Sequence, residues 1–193
     1  MKKILSLIIS LFLITTFAFA EDSNASGGDE YEDDYVYEIN GAGDQFLKVN
    51  LGGLFPLNFK GQLYPGGAAE IGYYRLLTSN LGVGAEFGAS YNVSIGEKML
   101  VLIPITAGVL FQPTIGKFEI PVTVSLGAAY ETFQNMNYFP SLTAKVNAGV
   151  YYRLNDVCSL GISSTALWIP QWSSKGFDQG LFTTVALSAR YHF

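Results

Sequence analysis

The chain has 193 residues, of which 49% are apolar, 15% aromatic and only 14% charged, with 21 glycines. Beyond the first twenty residues no apolar run reaches the roughly 18 residues that a membrane-crossing helix needs; the longest, 99–111, is interrupted by Pro104 and Thr106. The formal charge of −5 comes without a basic stripe, which excludes a nucleic-acid footprint, and the single cysteine, Cys158, excludes an intramolecular disulfide.

Residues 1–20 have the layout of a secretory signal peptide. Lys2 and Lys3 precede an apolar run from Ile4 to Phe17, and Ala18-Phe19-Ala20 supplies a small-x-small cleavage site. Residues 21–44 form a second segment. Glu21, Asp22, Asp29, Glu30, Glu32, Asp33, Asp34 and Glu38 stand there without any Lys or Arg, a composition expected to be a disordered, solvated periplasmic tail. Their spacing matches no Ca²⁺ loop and lacks that loop's central Gly. From Ile39 onward nine basic residues face eight acidic ones, so the body, 45–193, is close to neutral.

Period-two alternation runs through that body. Gln45 to Phe55 sets Leu47, Val49, Leu51, Gly53 and Phe55 against Phe46, Lys48, Asn50, Gly52 and Leu54; a Pro-, Gly- and Asn-containing loop, 56–67, follows. Ala68 to Leu77 places Ala69, Ile71 and Tyr73 opposite Glu70, Gly72 and Tyr74, and 78–80 turns. Leu81 to Val93 alternates most cleanly, with Leu81, Val83, Ala85, Phe87, Ala89, Tyr91 and Val93 on one side. A helix would scatter that set around its circumference.

Met99 to Phe111 is less regular, because Leu102 and Leu110 share the inner parity with Pro104, Thr106 and Gly108. Lys117 to Tyr130 and Ser141 to Leu154 alternate apolar residues with Glu119, Pro121, Thr123 and with Lys145, Asn147, Arg153. Cys158 to Ile169 and Gly180 to Phe193 complete the set, with 131–140 and 170–179 read as loops. Eight strands follow, joined alternately by longer and shorter connections. High apolarity spread over alternating strands is the compositional mark of a transmembrane barrel, closed because an open sheet edge cannot exist in hydrocarbon. The expected fold is all-β: an eight-stranded antiparallel up-and-down transmembrane barrel with short periplasmic turns, longer extracellular loops and both termini periplasmic. Tyr73, Phe111, Phe118, Tyr152, Tyr191 and Phe193 fall at the short-turn ends of their strands, and Phe55, Tyr91, Tyr130 and Trp168 at the other, as two interfacial girdles require.

The final strand resembles the closing strand of bacterial outer-membrane barrels, whose assembly machinery favours a terminal aromatic residue with alternating apolar residues before it; here those are Tyr191 and Phe193. Gly72-Tyr73-Tyr74-Arg75-Leu76, Leu81 through Gly88 and Ala189-Arg190-Tyr191-His192-Phe193 carry a wider resemblance. They are similar to the small eight-stranded superfamily that includes the opacity proteins, the OmpA transmembrane domain and the OmpW family. The resemblance implies a bacterial outer-membrane location and partners in outer-membrane lipid and the assembly machinery. OmpW-like members imply a narrow, porin-like path for small hydrophobic molecules with lateral release, and opacity-like members an extracellular partner bound through loops that are short here. A fold does not fix an activity.

The inward parity carries Lys48, Glu70, Glu86, Glu119, Lys145 and Arg190, three of each sign, with Arg153 at the periplasmic end. An eight-stranded lumen is just wide enough for side chains to fill. The balanced set is expected to be one cross-lumen salt-bridge network plugging a monomeric barrel, an ion path being the alternative. No catalytic, cofactor-binding or metal-ligating set is discernible: the only histidine, His192, reads as a periplasmic rim residue, and Cys158 as a small lipid-facing one. Three function classes remain: a non-enzymatic structural or surface-interaction protein, which the residues favour, a conduit for small apolar molecules, and an enzyme. Phe59, Tyr64, Phe133, Tyr138, Phe139, Trp172 and Phe177 in the loops read as interfacial packing or as a binding rim. Pro104 and Pro121, each inside a strand, remove a ladder donor. They are expected to weaken the one seam their two strands share, leaving a lateral weak point in the wall.

Overall fold

The computed structural model describes residues 40–193 except 59–62, 95, 134–135 and 174–175, and the side chains of 133, 136–139, 171–173 and 176–178 also fall outside the description. The leader, the acidic run to Glu38, and the side chains of Phe59, Phe133, Tyr138, Phe139, Trp172 and Phe177 therefore lie outside the described residues.

Eight wall strands follow in chain order. They are Gln45–Pro56, Gly66–Leu76, Leu81–Val93, Met99–Phe111, a fifth in two pieces (Phe118–Glu119 and Val122–Phe133), Met136–Arg153, Cys158–Ser173 and Gly176–His192. A two-residue ladder, Thr114–Ile115 on Phe118–Glu119, folds the turn between the fourth and fifth. Each strand pairs antiparallel with its sequence neighbours, and the first pairs with the eighth from Phe46↔His192 to Pro56↔Phe182, which closes the sheet. Direct partners traced once around the wall from Phe46 pass through Tyr74, Gly84, Gly108, Ser125, Lys145 and Leu167 to Phe182. Phe182 is ten residues short of His192, the residue Phe46 meets across the closing seam. With a rise of about 3.3 Å per residue and about 4.8 Å between strands, that stagger tilts the strands by about 40°.

The alternation divides inside from outside. Leu51, Leu126 and Leu187 are 61%, 62% and 71% exposed on the outer face, whereas Phe46 and Leu100 on the inner face are fully buried. A continuous apolar outer belt of this kind is incompatible with water and is what lipid requires. All ten aromatic residues assigned to the girdles are outward and exposed. At the turn end Phe118 meets Tyr152 edge-on at 5.2 Å, and Phe193 lies against Tyr73 and Tyr191 at 6.4 and 6.1 Å. At the loop end the Trp168 indole donates to Gln179 Oε1 at 3.1 Å.

Segments 131–140 and 170–179, read as loops, prove to be strand. The fifth and sixth strands pair up to Phe133↔Met136, and the seventh and eighth up to Ser173↔Gly176, so only 134–135 and 174–175 separate them. Between strand ends 57–65 is the longest connection, while 134–135 and 174–175 are shorter than 77–80 and 154–157 on the opposite side. The sixth and seventh strands stop pairing with each other above Ala144↔Trp168. Pro140 and Pro170 share the ladder parity of Ala144 and Trp168, so each lacks a donor on the edge that faces the other strand. Past the proline, which the sequence pattern alone had made look like the end of a strand, each hairpin has its own internal ladder, the fifth–sixth one after a register shift between Ala129↔Ser141 and Glu131↔Tyr138.

Candidate functional site

The lumen is the only place in the described residues where charged groups converge, and it is filled in layers. Nearest the loop end, Leu54, Leu100, Leu102, Ala129, Leu167, Ile169 and Phe182 form an apolar cluster, with Leu63 and Ala68 packed against it. Leu102, one of the two leucines that made the fourth strand look irregular, is a member; the other, Leu110, belongs to a second cluster nearer the turn end. Beneath this cluster lies a cavity of about 40 Å³ lined by Asn50, Leu54, Ala68, Ala69, Glu70, Gly88, Ala89, Ser90, Pro104, Lys145, Thr165, Leu167, Thr184 and Ala186. That is room for a few water molecules.

The next layer is a ring of four charges from four strands. Lys48 Nζ stands 3.5 Å from Glu70 Oε1 and pairs closely with Glu86. Lys145, reaching across from the sixth strand, pairs with both Glu70 and Glu86. Two cations and two anions leave the ring neutral. Lys48, Glu86 and Lys145 side chains are 1–2% exposed, while Glu70 is 15% exposed and borders the cavity. Asn50 donates to Glu70 at 2.9 Å, and the Tyr74 hydroxyl donates to Glu86. Tyr74 fits only because Gly84 opposes it: a Cβ at Gly84 would lie 2.3 Å from the Tyr74 ring. Ions taken out of water at several kcal/mol each are tolerated when every oxygen and ammonium finds partners in this way.

A second apolar cluster, Phe46, Tyr74, Leu76 and Leu110, separates that ring from the turn end. There Glu119, fully buried, takes Arg190 Nη1 on Oε2 and Arg153 Nε on Oε1, both at 3.1 Å. Arg190 Nη1 also donates to Gln112 Oε1 at 2.7 Å. Its guanidinium lies 3.6 Å from the Tyr151 ring centre and 4.6 Å from that of Phe46, a cation–π sandwich. His192 Nδ1 is 2.7 Å from Arg153 Nη2, and Nε2 is 2.9 Å from Ser159 Oγ. Arginine only donates, so the network assigns the neutral histidine with its proton on Nε2. His192 is thus 6% exposed inside the barrel and not a residue of the rim.

The six charges expected in one network consequently stand in two: Lys48, Glu70, Glu86 and Lys145 at mid-lumen, and Glu119 with Arg190 and Arg153 at the turn end. Three buried polar residues escaped the sequence. Gln112 looked like turn, Glu131, 3% exposed, looked like loop, and Asn40 was placed in the disordered tail. Asn40 is 1% exposed; its amide donates to Thr114 Oγ1 at 3.0 Å and its oxygen accepts from Arg153 Nη2 at 3.2 Å. Residues 40–44 are a turn closed by Gly41 N on Asp44 Oδ2 at 2.8 Å and tied to the second strand by Gly43 N on Leu76 O at 2.8 Å. Buried polar residues with low periodicity around them leave no signal in a single sequence.

The prolines do not share a seam. The fourth and fifth strands pair without interruption from Leu100↔Phe133 through Pro104↔Ala129 to Phe111↔Val122, and Ile120 N continues the ladder to Pro113 O at 3.0 Å. The lapse at Pro104 falls between the third and fourth strands, from Phe87↔Ile105 to Ser90↔Leu102. That at Pro121 falls between the fifth and sixth, from Glu119↔Tyr151 to Val122↔Ala148, where Gly149 N still reaches Pro121 O at 3.1 Å. Inward residues paired directly across the fourth–fifth seam form the non-hydrogen-bonded pairs there, so both prolines turn their nitrogens to the outer flanks of the strand pair. Register is unchanged on either side of each, so each costs one rung and inserts no bulge.

Among solved structures, the fold is similar to Neisserial surface protein A at a TM-score of 0.63 and 13% identity, over 78% of this chain and 99% of that one. Ail of Yersinia pestis, determined with the heparin analogue sucrose octasulfate, matches at 0.54 and 13% over 79% and 99%. OprG of Pseudomonas aeruginosa matches at 0.53 and 13% over 81% and 98%. These are small outer-membrane barrels, and the likeness is one of fold. An uncharacterized protein of Treponema pallidum is 23% identical over 149 residues, 67% of this chain, and this chain spans 50% of that protein's length. A family model that carries no functional description matches residues 27–191. The chain belongs to that family, and its fold is the closed eight-stranded barrel of outer-membrane proteins.

Proposed function

We propose that the protein is a non-enzymatic, monomeric outer-membrane barrel with a structural or surface-interaction role, its lumen plugged and both termini on the periplasmic side. The observation that carries this reading is the stack of two apolar clusters and two ion-pair layers across the lumen. Outward Tyr191 and Phe193 would serve as the terminal signal for the assembly machinery. Planar-bilayer recording of the purified protein is expected to give no steady conductance; discrete, ion-selective steps would overturn the plug.

One observation favours a second reading, a conduit for small apolar molecules. The cavity is lined by lumen residues and also by the outward-facing Ala69 and Ala89, beside the rung missing at Pro104. Lateral release would then run between the third and fourth strands. Uptake of an apolar fluorescent probe by loaded liposomes, lost on filling Gly88 with valine, would support the conduit; equal uptake with and without protein removes it.

A further inference from the structure

Among the described residues the turn-end layer is short of negative charge. Arg153 and Arg190, 4% and 3% exposed, face one carboxylate, Glu119. The remaining polar groups packed there do not redress the balance: His192 is neutral in this network, Ser159, Gln112 and Asn40 carry no charge, and the Asp44 carboxylate is turned to the Gly41 amide. Arg153 Nη1 and Gln112 Nε2 are buried and have no acceptor. A buried guanidinium without a counter-charge or an acceptor is costly. At present the amide oxygen of Asn40, 3.2 Å from Arg153 Nη2, stands where a counter-ion would.

We propose that this layer is a site for a chloride-sized inorganic anion, contested by the Asn40 side chain. Asn40 sits at φ 67 in the left-handed region, from which a side chain can be withdrawn while the backbone is kept. The site is enclosed, and only a small anion fits in the space one side-chain amide vacates. An anion there supplies the missing charge and takes over the acceptor position that Asn40 Oδ1 holds on Arg153 Nη2.

The test uses detergent-folded full-length protein and the midpoint of its heat-modifiable gel migration, in sodium chloride against sodium gluconate at equal ionic strength. Glycine and aspartate both tolerate the backbone of residue 40. Asn40→Gly is expected to melt about 3 °C higher in chloride than in gluconate. Asn40→Asp, which brings its own charge, is expected to melt above Asn40→Gly in both salts and to show no preference between them. Adding Arg153→Gln to Asn40→Gly should abolish the chloride gain. Equal midpoints for Asn40→Gly in the two salts, or Asn40→Asp melting at or below Asn40→Gly, would overturn the proposal. If Asn40→Gly does not fold, wild type and Arg153→Gln decide: a chloride gain confined to wild type supports the site, and no gain, or a gain in both, rejects it.

Discussion

Glu86→Gln isolates charge from shape in the mid-lumen ring. Glutamine keeps the volume and can still accept from Tyr74, yet leaves Lys48 and Lys145, each 1–2% exposed, to share Glu70 alone. Removing one partner of a buried pair costs roughly 3–5 kcal/mol, so a loss of about 4 kcal/mol is expected. Lys48→Met in the same chain restores neutrality and fills the same space, bringing the double variant back to within about 1 kcal/mol of wild type. The coupling between the two sites is then at least about 3 kcal/mol, and larger by whatever Lys48→Met costs alone, since that variant leaves Glu70 and Glu86 to share Lys145. Urea unfolding in phospholipid vesicles, followed by the fluorescence of the two tryptophans and by gel migration, measures all four corners of the cycle. A Glu86→Gln loss under 1 kcal/mol, or a double variant no better than the summed single losses, would refute the ring as a charge-balanced unit.

Leu126, 62% exposed on the outer face, should cost about 2–4 kcal/mol when changed to arginine, because its solvent is hydrocarbon; a neutral effect in vesicles would contradict the membrane belt. Gly84→Val should lose about 1–3 kcal/mol by driving a Cβ into the Tyr74 ring, and adding Tyr74→Leu should recover part of it in the same urea titration. Glu119→Gln should destabilise far more than Arg153→Gln, since the first strands two guanidiniums and the second leaves one balanced pair; comparable midpoints would mean the layer is not charge-limited. Pro104→Val supplies the donor missing from the third–fourth seam and should slow amide exchange at that seam, while the fourth–fifth seam stays as it was.

The sequence by itself determined which face each wall residue takes, because a strand reverses its side chains at every step and one solvent per face makes that reversal visible. Third and fourth strands, Leu81–Val93 and Met99–Phe111, were legible to the residue, as were the girdles. Register was not legible. Which inward charge meets which depends on the ten-residue stagger of the closed wall, and that stagger places Lys145 over Glu70 and Glu86 while leaving Glu119 to Arg190 and Arg153. The seams at Pro104 and Pro121 were undecidable for the same reason, since parity says that both point inward but only the pairing says which neighbour loses the donor. Asn40 was invisible for a different one: it has no periodic context, and its two partners, Thr114 and Arg153, are brought to it only when the eighth strand closes on the first. Parity is local to the chain, whereas register and closure are properties of all eight strands at once.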